Sequence, residues 1–375
     1  MTAPKPKPKL LFVVTEGRYF VSHRLPLAIG ASAAGFDVAV ATRADGQEER
    51  IKSAGIRLVP FTLTRRTGNP LQEIWALYQL YRCEKPDLVH HVALKAVIYG
   101  SFAARLAHVP AQVNAVTGLG WLFISANYAI RFIRRLLRFW LAYSLGKHSL
   151  IIVQNPEDSA LLQRSGVAAQ KLRLIRGSGV DTQLFYPMNT QPPEPVCIVL
   201  AARMLWDKGV GEFVAAAENL AGQGIHARFL LVGEPDPSNP ASVPEATLKA
   251  WHSRFGVEYW GHRDDMPDVL NNAHIACLPS YREGLPKSLL EAAACGLPIV
   301  ASDVPGCREV VQNGVNGFLV PVKESAALAA ALMRLIVDAD LRRNMGLQSR
   351  SLVLAEFSQE MVVIETIAVY QELIG

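Results

Sequence analysis

Short apolar runs alternate along the chain with segments of helical length. Runs at 10–14, 36–41, 56–60, 87–91, 111–116, 149–154 and 172–175 predict strands, and 22–34, 70–82, 95–107, 127–146 and 156–165 predict helices. The strand runs are continuously apolar rather than alternating, which is the pattern of strands buried on both faces of a parallel sheet. A polar, proline-rich stretch at 189–195 has no periodicity and reads as a linker. The alternation then resumes, with strands at 196–201, 227–232, 257–259, 274–278 and 298–301 and helices at 209–222, 286–295, 325–338 and 340–355. Ser358 is placed to cap a last helix over 359–373, where Met361, Ile364, Ile367, Ala368 and Leu373 fall near one face. The expected architecture is α/β, with two doubly wound domains at 1–187 and 188–357.

Composition supports that division, because 375 residues exceed what one ordinary core organises, and half of them are hydrophobic. Every apolar run is interrupted before it reaches the roughly 18 residues of a membrane span. The basic start from Lys5 to Lys9 precedes only five apolar residues, Leu10 to Val14, so it reads as a first strand and not as a secretion signal. Five dispersed cysteines, at 83, 197, 277, 295 and 307, contain no C-x-x-C pair and suit a reduced, cytoplasmic chain. Charge is uneven: residues 1–187 carry +13 and residues 188–375 carry −8. The first half is therefore expected to face something anionic, a lipid surface or a nucleic acid.

The strongest candidate chemistry lies at Glu283 and Glu291, eight positions apart in a strand, loop, helix, strand unit. Such a pair suits the acid and base of a glycosidase, or one carboxylate on sugar hydroxyls and the other on a ribose. Arg203 follows the strand at 196–201 and Lys208 precedes the next helix, so the two cations can clamp a diphosphate. Gly17 follows the first strand, where a backbone can approach a phosphate at a helix start. Arg24, His91 and Lys95 sit at comparable strand-to-helix edges, as do His23 and His90. Arg131, Arg134, Arg135 and Arg138 recur at helical spacing opposite Ile133, Leu136, Leu137 and Trp140, a pattern of membrane-surface helices. No pair of histidines has metal-ligand spacing, and no metal is expected.

Taken in order, Gly17, Arg203, Lys208-Gly209, the E-x7-E pair, the stretch 305–311 and the stretch 313–321 resemble the family 4 retaining glycosyltransferases. Within that family, 203–210 and 116–120 are most similar to bacterial N-acetylgalactosaminyltransferases acting on undecaprenyl-diphosphate-linked sugars, although Thr117 stands where those enzymes have a Glu. The resemblance implies the GT-B fold, two Rossmann-like domains facing across a cleft, with the terminal helix 358–375 crossing back to the first. It implies a UDP-sugar donor, no other cofactor, and transfer to a polyprenyl-diphosphate-linked glycan. Arg203 and Lys208 would hold the donor diphosphate, Glu283 the transferred sugar and Glu291 the ribose. Gly17 and the turn of Leu285, Pro286, Lys287, Ser288 and Leu289 would complete the donor site. Arg24, His91, Lys95, Thr117 and Gly118 are the acceptor candidates.

The expected partners are thus a nucleotide sugar, a lipid-linked acceptor and an anionic membrane surface, with the protein lying peripherally on the inner face of the membrane. Nucleic acid is not expected. Two rivals remain at this stage: a nucleotide-sugar epimerase, which needs no acceptor, and a non-catalytic lipid- or nucleic-acid-binding protein.

Overall fold

The structure, a computed structural model, describes residues 6–63, 69–116, 148–188, 192–237 and 239–375. The expected helix 127–146, the arginines 131, 134, 135 and 138, and Thr117 and Gly118 lie outside the described residues. The chain forms two compact units, Met1–Ser178 with Gln359–Gly375, and Gly179–Ser358.

The first unit carries strands β1 (Lys9–Val13), β2 (Asp37–Thr42), β3 (Arg57–Pro60), β4 (Leu88–Val92), β5 (Ala111–Ala115), β6 (Ser149–Val153) and β7 (Leu172–Leu174). They pair in parallel in the order β3-β2-β1-β4-β5-β6-β7. The helices among the described residues are α1 (Gly17–His23), α2 (Leu25–Ala33), α3 (Glu48–Ser53), α4 (Pro70–Glu84), α5 (Leu94–Leu106) and α6 (Pro156–Arg164). A single helix was expected over 22–34. Pro26 sits in the first turn of α2, where its missing N–H is harmless, whereas continuing α1 through it would place the ring against a preceding carbonyl. The break falls at Arg24.

The second unit has β8 (Cys197–Ala201), β9 (Arg228–Val232), β10 (Val257–Gly261), β11 (Ile275–Leu278), β12 (Ile299–Ser302) and β13 (Gly317–Val320), parallel in the order β10-β9-β8-β11-β12-β13. Its helices are α7 (Val210–Gly222), α8 (Glu245–Trp251), α9 (Met266–Asn271), α10 (Lys287–Ala294), α11 (Pro305–Val310), α12 (Ser325–Val337) and α13 (Ala339–Glu356). Strand β13 and helices α3, α8, α9 and α11 are additions to the elements read from the pattern. An apolar core lies on each face of this sheet, one including Phe213, Phe229 and Leu332, the other Leu270, Leu290 and Phe357.

The division between units falls earlier than residue 187. Val180 N–H donates to Phe357 O at 2.9 Å, Phe185 is buried in the second unit's core, and Arg350 donates to the carbonyls of Thr182 and Phe185. Residues 179–187 are thereby fastened to the second unit. The last helix, α14 (Gln359–Ile374), packs on the first unit's sheet: Val362, Val369 and Tyr370 join the core of α2 and β1, and Tyr370 Oη hydrogen-bonds His90 Nδ1 at 2.5 Å. Close approach to this helix requires a glycine at 30, since a Cβ there would lie 2.4 Å from Val363 Cγ1.

Candidate active site

In an open parallel sheet, ligands bind beyond the carboxyl ends of the strands where the strand order reverses. In the second unit that point lies between β8 and β11. The loop leaving β8 carries Arg203 and Lys208, and the loop leaving β11 carries Glu283. These loops are stitched together by Asp207 O, which accepts from Tyr281 N at 2.9 Å and Ser280 Oγ at 3.1 Å. Gly209 has φ of 73°, and a Cβ on it would stand 2.1 Å from Pro279 O, so only glycine permits this approach. The result is a direct ion pair, Lys208 Nζ to Glu283 Oε1 at 2.5 Å, with 22% and 9% of the two side chains exposed.

Glu291 follows on α10, whose first N–H groups have no partner within the helix and whose N-cap, Pro286, supplies no side-chain cap. Its carboxylate is 15% exposed and lies 3.5 Å from Lys287 Nζ. Burial raises its pKa, with the charge of Lys287 and a hydrogen bond from it opposing the shift. Leu289, expected to touch the donor, is a correction: it is 2% exposed in the core, and its N–H donates to Pro286 O. Pro286 is buried too, while Leu285, Lys287 and Ser288 are partly exposed.

Arg203 is half exposed, and its Nη1 lies 2.8 Å from Asp236 Oδ2. Asp236 is itself fixed through its N–H, which donates to Ser242 Oγ at 2.9 Å. On the other side of the site, Tyr281 Oη donates to Glu212 Oε1 at 2.6 Å, and Lys323 Nζ stands 4.8 Å from the centre of the Tyr281 ring. Burial and the Glu212 carboxylate both push the Tyr281 hydroxyl pKa up. Sequence pattern did not find Asp236 or Glu212. Both are single carboxylates with no repeat or spacing to mark them.

The first unit has its own reversal between β1 and β4. A cavity of about 200 Å³ opens there, lined by Val14, Thr15, Tyr19, Val92, Ala93 and Lys95. Lys95 is held by Glu73 at 2.6 Å. Ala93 has φ of 72°, a left-handed value that costs a non-glycine residue about 1 to 3 kcal/mol and sharply turns the chain from β4 into α5. Gly17 begins α1, and a Cβ on it would lie 2.5 Å from Asp45 Oδ1. Asp45, which the pattern did not single out, also accepts from Arg18 N–H at 3.1 Å, so a carboxylate stands where a phosphate approach was expected.

Two acceptor candidates are withdrawn from solvent. His91 is fully buried, hydrogen-bonded to Asn114 Oδ1 at 2.8 Å and Tyr81 Oη at 2.9 Å, and burial pushes its pKa down to about 4. It is a structural residue of the sheet and offers an acceptor no surface. Arg24 is 3% exposed, and its charge helps to lower the pKa of buried His90 after burial itself. Among the described acceptor candidates, the structure brings Lys95 alone to the first unit's cavity.

A cation pair, each with a carboxylate neighbour, beside a helix N-terminus at a sheet's switch point suits a polyanion carrying a polar appendage. Among the described residues, no group of three or more His, Cys, Asp or Glu could hold a metal ion. The family described as glycosyl transferases group 1 matches residues 195–338, and the glycosyl transferase 4-like family matches residues 9–155. The chain belongs to these glycosyltransferases. It is 28% identical to the N,N'-diacetylbacillosaminyl-diphospho-undecaprenol alpha-1,3-N-acetylgalactosaminyltransferase of Campylobacter jejuni, over 89% of this chain and 91% of that one. It is 26% identical to the UDP-Gal:alpha-D-GlcNAc-diphosphoundecaprenol alpha-1,3-galactosyltransferase of Escherichia coli, over 72% of this chain and 71% of that one. Among solved structures, Anabaena HepE in complex with UDP superposes with a TM-score of 0.78 at 19% identity, covering 98% of this chain and all of the other, which is a likeness of fold. The fold is GT-B, as expected. The glycosyltransferase is a hexosyltransferase, which sets aside the epimerase and the non-catalytic binder. Among its described residues no helix is long and apolar enough to cross a membrane.

Proposed function

We propose that the glycosyltransferase moves a hexose or N-acetylhexosamine from a UDP-sugar to a polyprenyl-diphosphate-linked glycan in bacterial polysaccharide assembly, with retention of configuration and without a metal. The observation that carries the reading is the Lys208–Glu283 pair at the β8/β11 switch point, with Arg203 on one side and the start of α10 on the other. The names of the Campylobacter and Escherichia relatives, both acting on undecaprenyl-diphosphate-linked sugars, support the acceptor class.

In this reading Arg203 and Lys208 bind the donor diphosphate, and the α10 N-terminus meets the charge that grows on the departing UDP. Glu291 takes the ribose hydroxyls and Glu283 a hydroxyl of the transferred sugar. Leu285, Lys287 and Ser288 border the donor, while Lys95, at the first unit's cavity, serves the acceptor. The bond from the anomeric carbon to the phosphate oxygen breaks, and the acceptor oxygen bonds to that carbon on the same face. The acceptor proton passes to the departing phosphate oxygen. No covalent sugar–enzyme intermediate forms, so a sugar trapped on Glu283 would contradict this route. The arginines 131, 134, 135 and 138 would help hold the protein peripherally on the inner face of the cell membrane.

The test is a panel of UDP-sugars offered with a lipid-diphosphate sugar acceptor and read by mass. The acceptor should gain one sugar residue with at least one donor, and equally well with a chelator present. Interconversion of UDP-sugars without any acceptor gain would overturn the proposal.

A further inference from the structure

Helix α4 is apolar on two sides. Ile74, Leu77 and Tyr81 pack inward with the first unit's core. About a quarter turn round the helix from that core face, a stripe carries Leu71, Trp75 and, half buried against the same core, Tyr78, at i, i+4 and i+7, while Gln72, Ala76 and Gln79 are exposed on its other flank. Leu71 is 77% exposed, more than any other large apolar side chain among the described residues, and Trp75 is 61% exposed. The Trp75 and Tyr78 rings stack at 5.1 Å and 25°, making one flat aromatic plate.

Charge says what covers this face. Both carboxylates of α4 are paired, Glu73 with Lys95 and Glu84 with Arg57, each at 2.6 Å. Arg82, one helical turn beyond Tyr78, is exposed, and so is Lys85 at the C-cap. This stripe therefore runs from leucine through tryptophan and tyrosine to two cations, in the half of the sequence that carries +13. A protein partner or second copy would need acidic groups opposite those cations, while an anionic bilayer supplies phosphates to them and an apolar boundary for the ring plate.

We propose that the exposed stripe of α4 from Leu71 to Lys85 is a membrane-contact surface, with Leu71 and Trp75 entering the headgroup boundary of an anionic leaflet and Arg82 and Lys85 meeting lipid phosphates. The inference does not depend on the transfer reading.

The test uses the full chain and vesicles of phosphatidylcholine with phosphatidylglycerol, against phosphatidylcholine alone. L71S with W75S should lower partitioning onto the anionic vesicles about tenfold or more, with thermal unfolding unchanged because both side chains are exposed. Brominated lipid should quench part of the tryptophan emission of the wild type, and W75F should lose that part. Reversal of Arg134 and Arg135 to Glu, in a further variant, tests the arginines at 131–138 by the same assay. Unchanged partitioning of L71S/W75S would overturn the inference, and so would concentration-dependent self-association that the same variant abolishes while vesicle binding persists.

Discussion

Replacing either member of the Lys208–Glu283 pair should have opposite consequences for nucleotide binding. The pair is close, at 2.5 Å, and neither side chain is more than 22% exposed. Removing one partner of a fully buried pair costs about 3 to 5 kcal/mol because the other charge is stranded. With this partial exposure, about 1 to 3 kcal/mol in urea unfolding is the expectation for Lys208→Met, and less for Glu283→Gln, whose amide oxygen still accepts from Lys208. A bound diphosphate must share Lys208 with Glu283. Lys208→Met removes a charge-assisted hydrogen bond of about 1.5 to 3 kcal/mol, which weakens UDP roughly 10- to 150-fold by titration calorimetry. Glu283→Gln removes the competing negative charge, so UDP binds at least as tightly while sugar transfer is lost. Equal weakening of UDP by both variants, or none by Lys208→Met, would refute the assignment of Lys208 to the phosphates and Glu283 to the sugar.

Three further outcomes follow from the geometry. Gly209→Ala forces a Cβ to within 2.1 Å of Pro279 O at a left-handed φ, so it should lower Tm by several degrees and abolish UDP binding, and a variant indistinguishable from wild type would contradict the loop account. Glu291→Gln should raise Tm at pH 7 while weakening UDP-sugar. The raised carboxyl pKa means that its charged form opposes folding above the unfolded value near 4.3, a penalty relieved as pH falls through the folded pKa; a Tm decrease at pH 7 would count against it. His91, pushed down to about 4, gives stability that is fully present above the unfolded value of about 6.5 and is lost as pH falls through about 4, roughly 3 kcal/mol in all. In His91→Gln that part of the acid slope should be missing, with UDP affinity unchanged at pH 7.

Much of the fold was legible because parallel strands covered on both faces are written as unbroken apolar runs, as in Leu10 to Val13 or Ile198 to Leu200. The same property concealed His91. A strand buried on both faces has no solvent side, so its strand-end position could not separate a ligand-facing histidine from one bonded to Tyr81 and Asn114. Strand β13 was missed because it is a four-residue edge strand after the Asn313-Gly314 turn. Gly317 begins it, where a Cβ would stand 1.9 Å from Ile299 O. In the candidate site, the E-x7-E spacing marked one loop and one helix, since those residues are near in sequence. The partners Asp236 of Arg203 and Asp45 beside Gly17 come from other strand-end loops, and only the sheet order brings them near.

The central claim is that one UDP-sugar site, built on Lys208 and Glu283, performs sugar transfer to a lipid-diphosphate acceptor. It is tested most directly by following labelled sugar from the donor found in the screen into that acceptor, for wild type and Glu283→Gln, at UDP-sugar concentrations that saturate both. The account predicts steady product with wild type, chelator present, and none with Glu283→Gln. Product from Glu283→Gln at the wild-type rate would contradict it.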